Sequence, residues 1–156
     1  MNGNAIVFGS AGSGKTTFLT AFIFDICMRY NADRVCFYIL DFASETLRAF
    51  EDYAQVGTVA VPAEGEKIQN LFGYLTDEIA RRKTILAPYG GDYANLPPDL
   101  EMPAIHLVIA NYGAFREQFE SIFEPLAVIM RDGTKYGIFT LISSIATTGV
   151  RSEEHT

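Results

Sequence analysis

The feature that most constrains this 156-residue chain is a glycine-rich octapeptide between an apolar run and an amphipathic stretch. Residues 9–16 read Gly-Ser-Ala-Gly-Ser-Gly-Lys-Thr and match the pattern G-x-x-x-x-G-K-[ST]. The apolar run Asn4–Phe8 predicts a strand before the octapeptide, and apolar residues at helical spacing predict a helix over Thr16–Tyr30 after it. A strand that enters a helix through such a loop is typical of an α/β fold with a parallel sheet.

The octapeptide has the chemistry of a phosphate-binding loop. Its glycines let the backbone wrap closely around an anion with N–H groups pointing inward, and the following helix N-terminus favours negative charge. Lys15 is expected to reach the β- and γ-phosphates, and the Thr16 hydroxyl is placed to bind Mg²⁺. The sequence therefore predicts binding of a nucleoside triphosphate such as ATP, or descent from a chain that bound one. The predicted nucleotide-binding residues are Gly9, Ser10, Ala11, Gly12, Ser13, Gly14, Lys15, Thr16 and Thr17.

The rest of the chain continues the alternation of apolar runs and helical periodicity. This alternation predicts a three-layer α/β/α fold with a mainly parallel sheet, as one domain over residues 1–150 with a polar tail at 151–156. Pro125 either kinks the last predicted helix, whose apolar face begins at Phe115, or opens a new one. The further predicted strands are Val35–Leu40, Thr58–Val61, Ala104–Ala110 and Gly137–Ser143, the other helices are Ser44–Tyr53 and Glu64–Ala87, and Pro88–Pro103 is the one long loop.

Charge and composition exclude several classes of protein. Hydrophobic residues make up 49% of the chain, which is globular rather than disordered composition. The 12 basic and 19 acidic residues give a net charge of −7, and so no nucleic-acid partner is expected. Cys27 and Cys36 are predicted to be buried thiols of a reducing compartment. With no signal-peptide pattern and no apolar run long enough to span a bilayer, this piece of chain is expected to be soluble.

The strand that usually supplies an acid for Mg²⁺ in nucleotide hydrolases ends here without one. The predicted strand Ala104–Ala110 runs into Asn111 and Tyr112, so Ala110 stands where a metal-holding carboxylate is expected. Asn111 can orient a water molecule but cannot take its proton, and loss of a positioned base typically costs about 10²–10⁴ in rate. Weak hydrolysis is therefore expected.

Four further polar residues allow both a functional and a structural interpretation. Asp41, at the end of the second predicted strand, is either a Mg²⁺ ligand or an N-cap for the helix that follows. Ser143 and Ser144, at the end of the last strand, are placed to reach a γ-phosphate, although turn chemistry explains both serines equally well. His106, on a buried strand, is interpreted as a core histidine rather than a catalyst.

Four segments together resemble the FtsK/SpoIIIE-type ATPases. They are Ala5–Thr17, Phe37–Phe42, the leucine, glutamate and paired-arginine segment Leu75–Lys83, and the strand-end stretch Ile109–Tyr112. The likeness is greatest to the later, second or third, ATPase domains of the EssC/EccC proteins of type VII secretion. There the strand end tends to read Ile-Asp-Asn-Tyr, whereas this chain has Ala110 in place of the aspartate.

The resemblance implies a RecA-like domain from a longer, membrane-anchored protein on the cytoplasmic side of the cell membrane. It implies other ATPase domains in the same parent chain as partners, a homo-hexamer of the full-length protein, and WXG-type secretion substrates. The family pattern continues past the last predicted strand, so a final segment of the domain is expected beyond it. Arg81 or Arg82 is either an arginine finger for a neighbouring subunit or a cation that stabilises the helix end. The alternative functions are an active hexameric FtsK-type motor for DNA or protein, and a substrate-receptor domain with a vestigial phosphate loop.

Overall fold

A single parallel sheet organises the chain in the computed structural model, which describes residues 3–9 and 14–145. The sheet has five strands in the order β1-β5-β4-β2-β3, and every pair of neighbours is parallel. The predicted residues Ser10, Ala11, Gly12 and Ser13 and the polar tail 151–156 lie outside the described residues. The strands are β1 (Ala5–Gly9), β2 (Val35–Asp41), β3 (Val56–Ala60), β4 (Ala104–Ala110) and β5 (Ile138–Ile145).

Helices cover both faces of this sheet, which confirms the predicted three-layer α/β/α fold. One apolar cluster joins a single helix and a short 3-10 turn, Thr46–Phe50, to one face. A second cluster joins the other three helices to the opposite face. The helices are α1 (Lys15–Arg29), which belongs to the first cluster, and α2 (Gly65–Leu86), α3 (Tyr112–Gln118) and α4 (Phe123–Asp132), which belong to the second. No helix in the described part of the chain is long and apolar enough to cross a membrane.

Two predicted helices differ from the structure for local reasons. The segment Ser44–Tyr53 forms only the 3-10 turn Thr46–Phe50, after Glu45 adopts the left-handed conformation at φ 62°. The helix predicted around Phe115 is broken between α3 and α4, and Pro125 falls in the first turn of α4. Proline is tolerated there because the first amides of a helix have no intrahelical acceptor. Pro125 therefore begins a new helix rather than kinking an old one.

A buried arginine ties α2 to the chain segments that enter β4 and β5. Arg82 is 1% exposed. Its Nε donates to Glu78 Oε2 at 2.8 Å, its Nη1 to the Tyr136 carbonyl at 2.9 Å and its Nη2 to the Pro103 carbonyl at 2.6 Å. Burial raises the pKa of Glu78, but hydrogen bonds from Arg81 and Arg82 outweigh it and hold that pKa below its usual range. Arg82 is therefore a structural anchor, and an arginine-finger role would require these contacts to break.

Replacing Arg82 by methionine is expected to lower the free energy of unfolding by about 3 kcal/mol, because two buried carbonyls and Glu78 lose a charged donor. The control is Arg81→Met, which removes a side chain that also pairs with Glu78 but is 56% exposed. Its loss should cost less than about 1 kcal/mol. Urea unfolding of the two variants measures both costs, and equal costs would contradict the anchor role of Arg82.

His106 on β4 is a core residue, as the sequence predicts, but one of its ring nitrogens is unsatisfied. The ring stacks on Phe37 with centroids 5.2 Å apart and meets Phe22 edge-on at 6.0 Å. Within the described residues, its buried Nδ1 has no hydrogen-bond partner. Burial lowers the pKa of His106 from 6.5 to about 4. The neutral imidazole therefore behaves as an aromatic core side chain.

This pKa predicts a stability that depends on pH in a defined window. Between about pH 6.5 and about pH 4 the unfolded chain binds one proton more at His106 than the folded chain does, so stability falls on acidification through that range. The loss should reach about 3 kcal/mol at most. The difference in unfolding free energy between the chain and a His106→Phe variant, measured against pH, isolates this residue from the carboxylates. A difference that stays constant from pH 7 to pH 4 would refute the assignment.

Candidate functional site

Parallel pairing brings the carboxyl ends of four neighbouring strands to one edge of the sheet. Gly9 ends β1, Asp41 ends β2 and Ala110 ends β4, while the carboxyl end of β5 lies between those of β1 and β4. The connection β1–β2 passes over β5 and β4. The connections that leave the neighbouring strands β4 and β2, to β5 and β3, run in opposite directions, so the chain direction switches between the ends of β4 and β2. Open parallel sheets bind ligands outside the carboxyl ends of their strands at such a position.

The described end of the phosphate loop leads directly into α1. Gly14 has φ 89°, a left-handed conformation that favours glycine, and serves as the N-cap of α1 without a side-chain cap. Lys15 is the first residue of α1, and its Nζ donates to the Gly9 carbonyl at 3.1 Å. The ammonium group therefore lies between the end of β1 and the start of α1, the two described ends of the phosphate loop. Thr16 is half-buried and Thr17 exposed.

Asp41 lies beside the position at which the expected acid is missing. Asp41 and Ala110 are register partners on β2 and β4, and alternation of side chains puts both on the face covered by α1. Asp41 is fully buried, and its Oδ1 and Oδ2 accept hydrogen bonds from the backbone amides of Ala43 and Leu47, each at 3.0 Å. Glu45 occupies the N-cap position of the 3-10 turn, so Asp41 caps the turn only through its side chain, which accepts from these two amides. The Mg²⁺ role of Asp41 stays a prediction, since each carboxylate oxygen retains a lone pair.

Asn111 and Ser143 connect the ends of three strands. Asn111 adopts φ 64°, a conformation that asparagine tolerates better than most residues, and its side chain caps α3 through the Ala114 amide. Its Nδ2 donates to the Phe42 carbonyl at 3.3 Å, and its backbone N–H donates to Ser143 Oγ at 3.0 Å. Sequence analysis placed Asn111 at this edge but missed the links to Phe42 and Ser143, for which the only signal is an asparagine between a buried strand and a helix.

The predicted catalytic role of Ser144 is not tested by its placement. Ser144 is buried and is the register partner of Phe8 on β1, one position before Ile145 pairs with Gly9. The sheet thus brings Ser144 close to the strand that enters the phosphate loop. Among residues 3–9 and 14–145, no group of three or more histidine, cysteine, aspartate or glutamate residues is placed to hold a metal ion.

Replacing Asp41 by asparagine separates the capping role from the metal role. The amide puts an N–H₂ group where one carboxylate oxygen accepts from Ala43 or Leu47, and a buried amide left without an acceptor typically costs about 1–3 kcal/mol. We expect Asp41→Asn to lower stability by that amount in Mg²⁺-free buffer. Asp25→Asn, at an exposed acid on α1, should cost less than about 0.5 kcal/mol. Equal midpoints of thermal unfolding for Asp41→Asn and Asp25→Asn would exclude the capping role of Asp41.

Comparison with known proteins agrees with this geometry. The FtsK/SpoIIIE family model matches residues 1–110. The ESX-5 secretion system protein EccC5 of Mycobacterium marinum is 28% identical over 153 residues, which is 90% of this chain and 11% of that protein. The type VII secretion system protein EssC of Staphylococcus aureus is 31% identical over 137 residues, or 84% of this chain and 9% of that protein. The chain thus spans about a tenth of these relatives.

Solved structures show the same fold. EssC (ATPases 2 and 3) from Geobacillus thermodenitrificans gives a TM-score of 0.85 at 24% identity, over 95% of this chain and 29% of that chain. Thermomonospora curvata EccC (ATPases 2 and 3), in complex with a signal sequence peptide, gives a TM-score of 0.83 at 22% identity, over 97% of this chain and 30% of that chain.

Together, the structural likeness and the family model give this chain the RecA-like fold of P-loop ATPases. The chain belongs to the FtsK/SpoIIIE family, and its sequence is related to the type VII secretion proteins EssC and EccC. The resemblance predicted from the sequence is confirmed.

Proposed function

We propose that this chain is an ATP-binding module of a type VII secretion ATPase, with weak or no hydrolysis of its own. The observation that carries the proposal is the position of Lys15, the first residue of α1, whose Nζ donates to the Gly9 carbonyl at 3.1 Å. The glycine-rich loop joins these two residues, so a phosphate bound by the loop would lie within reach of the ammonium group. The family relationship supports nucleotide binding at this loop.

Weak hydrolysis follows from the residue at the end of β4. Ala110 is 1% exposed and offers no oxygen to a metal ion or to an attacking water. The neighbouring Asp41 already accepts two backbone hydrogen bonds, and Asn111 has no basic group. A site of this kind holds ATP as a structural ligand or switch. Binding only to the folded state adds about 2.7 kcal/mol of stability at a hundredfold excess over Kd.

The secretion context rests on the relatives. Because EssC and EccC5 are secretion proteins, we propose that this module couples nucleotide binding and assembly to the export of WXG-type proteins. Other ATPase domains of the parent chain would be its neighbours, within a homo-hexamer at the cytoplasmic side of the membrane. The net charge of −7 supports a protein cargo rather than a nucleic acid.

Titration with fluorescent ATP, with and without Mg²⁺, tests the proposal. We expect micromolar binding that Lys15→Ala weakens at least about a hundredfold, because a charge-assisted contact to phosphate is lost. Lys83→Ala makes the same change of charge near the end of α2 and should bind ATP normally. Binding should change little when Mg²⁺ is removed, and phosphate release should stay near background.

Each other outcome identifies an alternative. Strong Mg²⁺ dependence that Asp41→Asn abolishes in a folded variant would assign the metal to Asp41. Together with steady turnover, it would favour the active motor. No ATP binding under either condition would overturn the proposal in favour of a receptor domain with a vestigial phosphate loop.

A further inference from the structure

Helix α1 is apolar on its outer side as well as on the side that packs against the sheet. Between its two terminal residues it contains one charged residue, Asp25. Phe24 and Met28 are 47% and 65% exposed, although the inward side of the helix is buried. A helix that is apolar all round is normally covered on every side, and an exposed apolar patch commonly marks a binding surface. The outer side of α1 is therefore suited to a partner.

A groove with a volume of about 470 Å³ runs between α1 and the 3-10 turn Thr46–Phe50, and we call it the α1 groove. The small side chains of Ala21 and Ala49 leave its centre open, and Phe24 and Tyr53 belong to its wall. Ala21 and Phe24 are three positions apart and Met28 follows four later, which is the spacing of one helix face. Grooves that bind helices present apolar contacts at this spacing. The shape of the α1 groove therefore fits a helix.

Acidic side chains flank the α1 groove on the side of the 3-10 turn. Glu45, Glu51 and Asp52 are exposed, and each is adjacent in sequence to a residue that lines the groove. The only basic residue of segment 44–53 is Arg48, which pairs with Glu64 at 3.0 Å. Within residues 3–9 and 14–145, the three acids form no ion pair. The rim of the groove is therefore negatively charged.

The negative rim selects among the possible occupants of the groove. A second copy docked through the same face would set these acids against their own counterparts, and the net charge of −7 opposes it further. An anionic membrane surface is repelled for the same reason. A segment of the same polypeptide is already held at a high effective concentration and gains little from attraction at a distance. A separate basic partner gains most, because opposite charge raises its rate of association.

We propose that the α1 groove is the docking site of a basic amphipathic helix from a separate protein. The apolar stripe of that helix packs against Phe24 and Tyr53, and its lysine or arginine side chains face Glu45, Glu51 and Asp52. The groove lies on the face of the sheet opposite α2, α3 and α4. Docking there adds a protein-interaction surface to the proposed ATP-binding module and does not require bound ATP.

Three synthetic peptides, labelled for fluorescence anisotropy, test the proposal on the 156-residue chain. The first is a helix of about 14 residues with leucines on one face and lysines on both flanks. The second has glutamates in place of the lysines, and the third has the composition of the first with the leucines scrambled. We expect the first to bind at least about tenfold more tightly than either other peptide, because only it matches both the apolar groove and the acidic rim. Equal affinities, or no binding of the first peptide, would overturn the proposal.

Lysine substitutions on α1 locate the contact. Phe24→Lys should weaken binding of the first peptide at least about tenfold, because a charge would be buried under the docked helix. Phe18→Lys is the matched control, since Phe18 is 49% exposed on the same helix but lies about 120° away around its axis. It should leave the affinity unchanged. Equal losses in the two variants would place the peptide outside the groove.

A charge reversal separates the acidic rim from the net charge of the chain. Asp52→Lys should weaken binding of the first peptide by about fivefold or more, whereas Asp77→Lys, at an exposed position on α2, makes the same change of net charge and should have little effect. Equal effects would contradict recognition by the rim. Hydrogen exchange of the turn Thr46–Phe50 in the parent polypeptide identifies the source of the helix. Exchange as fast as in the 156-residue chain is expected, and protection without added peptide would assign the groove to the same polypeptide and overturn the proposal.

Discussion

Parallel hydrogen bonding of β5 between β1 and β4 is the interaction on which the rest of the site depends. It pairs Gly9 with Ile145, while the adjoining β4–β2 pairing sets Ala110 beside Asp41. Residues that are more than 100 positions apart in the sequence therefore meet at one edge. Without this register, Gly9 would not be held at the same edge as Asp41 and Ala110. Pairing within the sheet therefore places the end of β1, which leads into the motif, beside the ends of the other strands.

The polar groups at that edge stabilise backbone turns in this structure. Asp41 accepts hydrogen bonds from two backbone amides of the turn after β2. Asn111 caps α3 and donates a hydrogen bond to the Phe42 carbonyl. Ala110 contributes only apolar contact. Because Ala110 offers no oxygen to an attacking water, we propose that this edge suits retention of a nucleotide better than rapid turnover.

Much of the fold could be predicted because strands and helices have local signatures. The predicted strand Ala104–Ala110 matches β4, and the predicted helix Glu64–Ala87 matches α2 to within one residue at each end. The length of the helix predicted over Ser44–Tyr53 was overestimated, because helical periodicity does not reveal a left-handed residue such as Glu45. Of the glycines in the predicted phosphate loop, Gly14 adopts the left-handed conformation that favours this residue.

The sequence by itself predicted the strand before the glycine-rich motif, the helix after it, the proposed nucleotide ligand and the absence of an acid at Ala110, because each depends on residues close together in the chain. Only the tertiary structure decided that Arg82 is a buried anchor rather than a cation at a helix end, because its partners Tyr136 and Pro103 lie in segments that enter other strands. It also decided that Ile6 and Phe8 are exposed. Strand order and crossover hand are properties of the assembled sheet, and no local pattern encodes which strand becomes an edge.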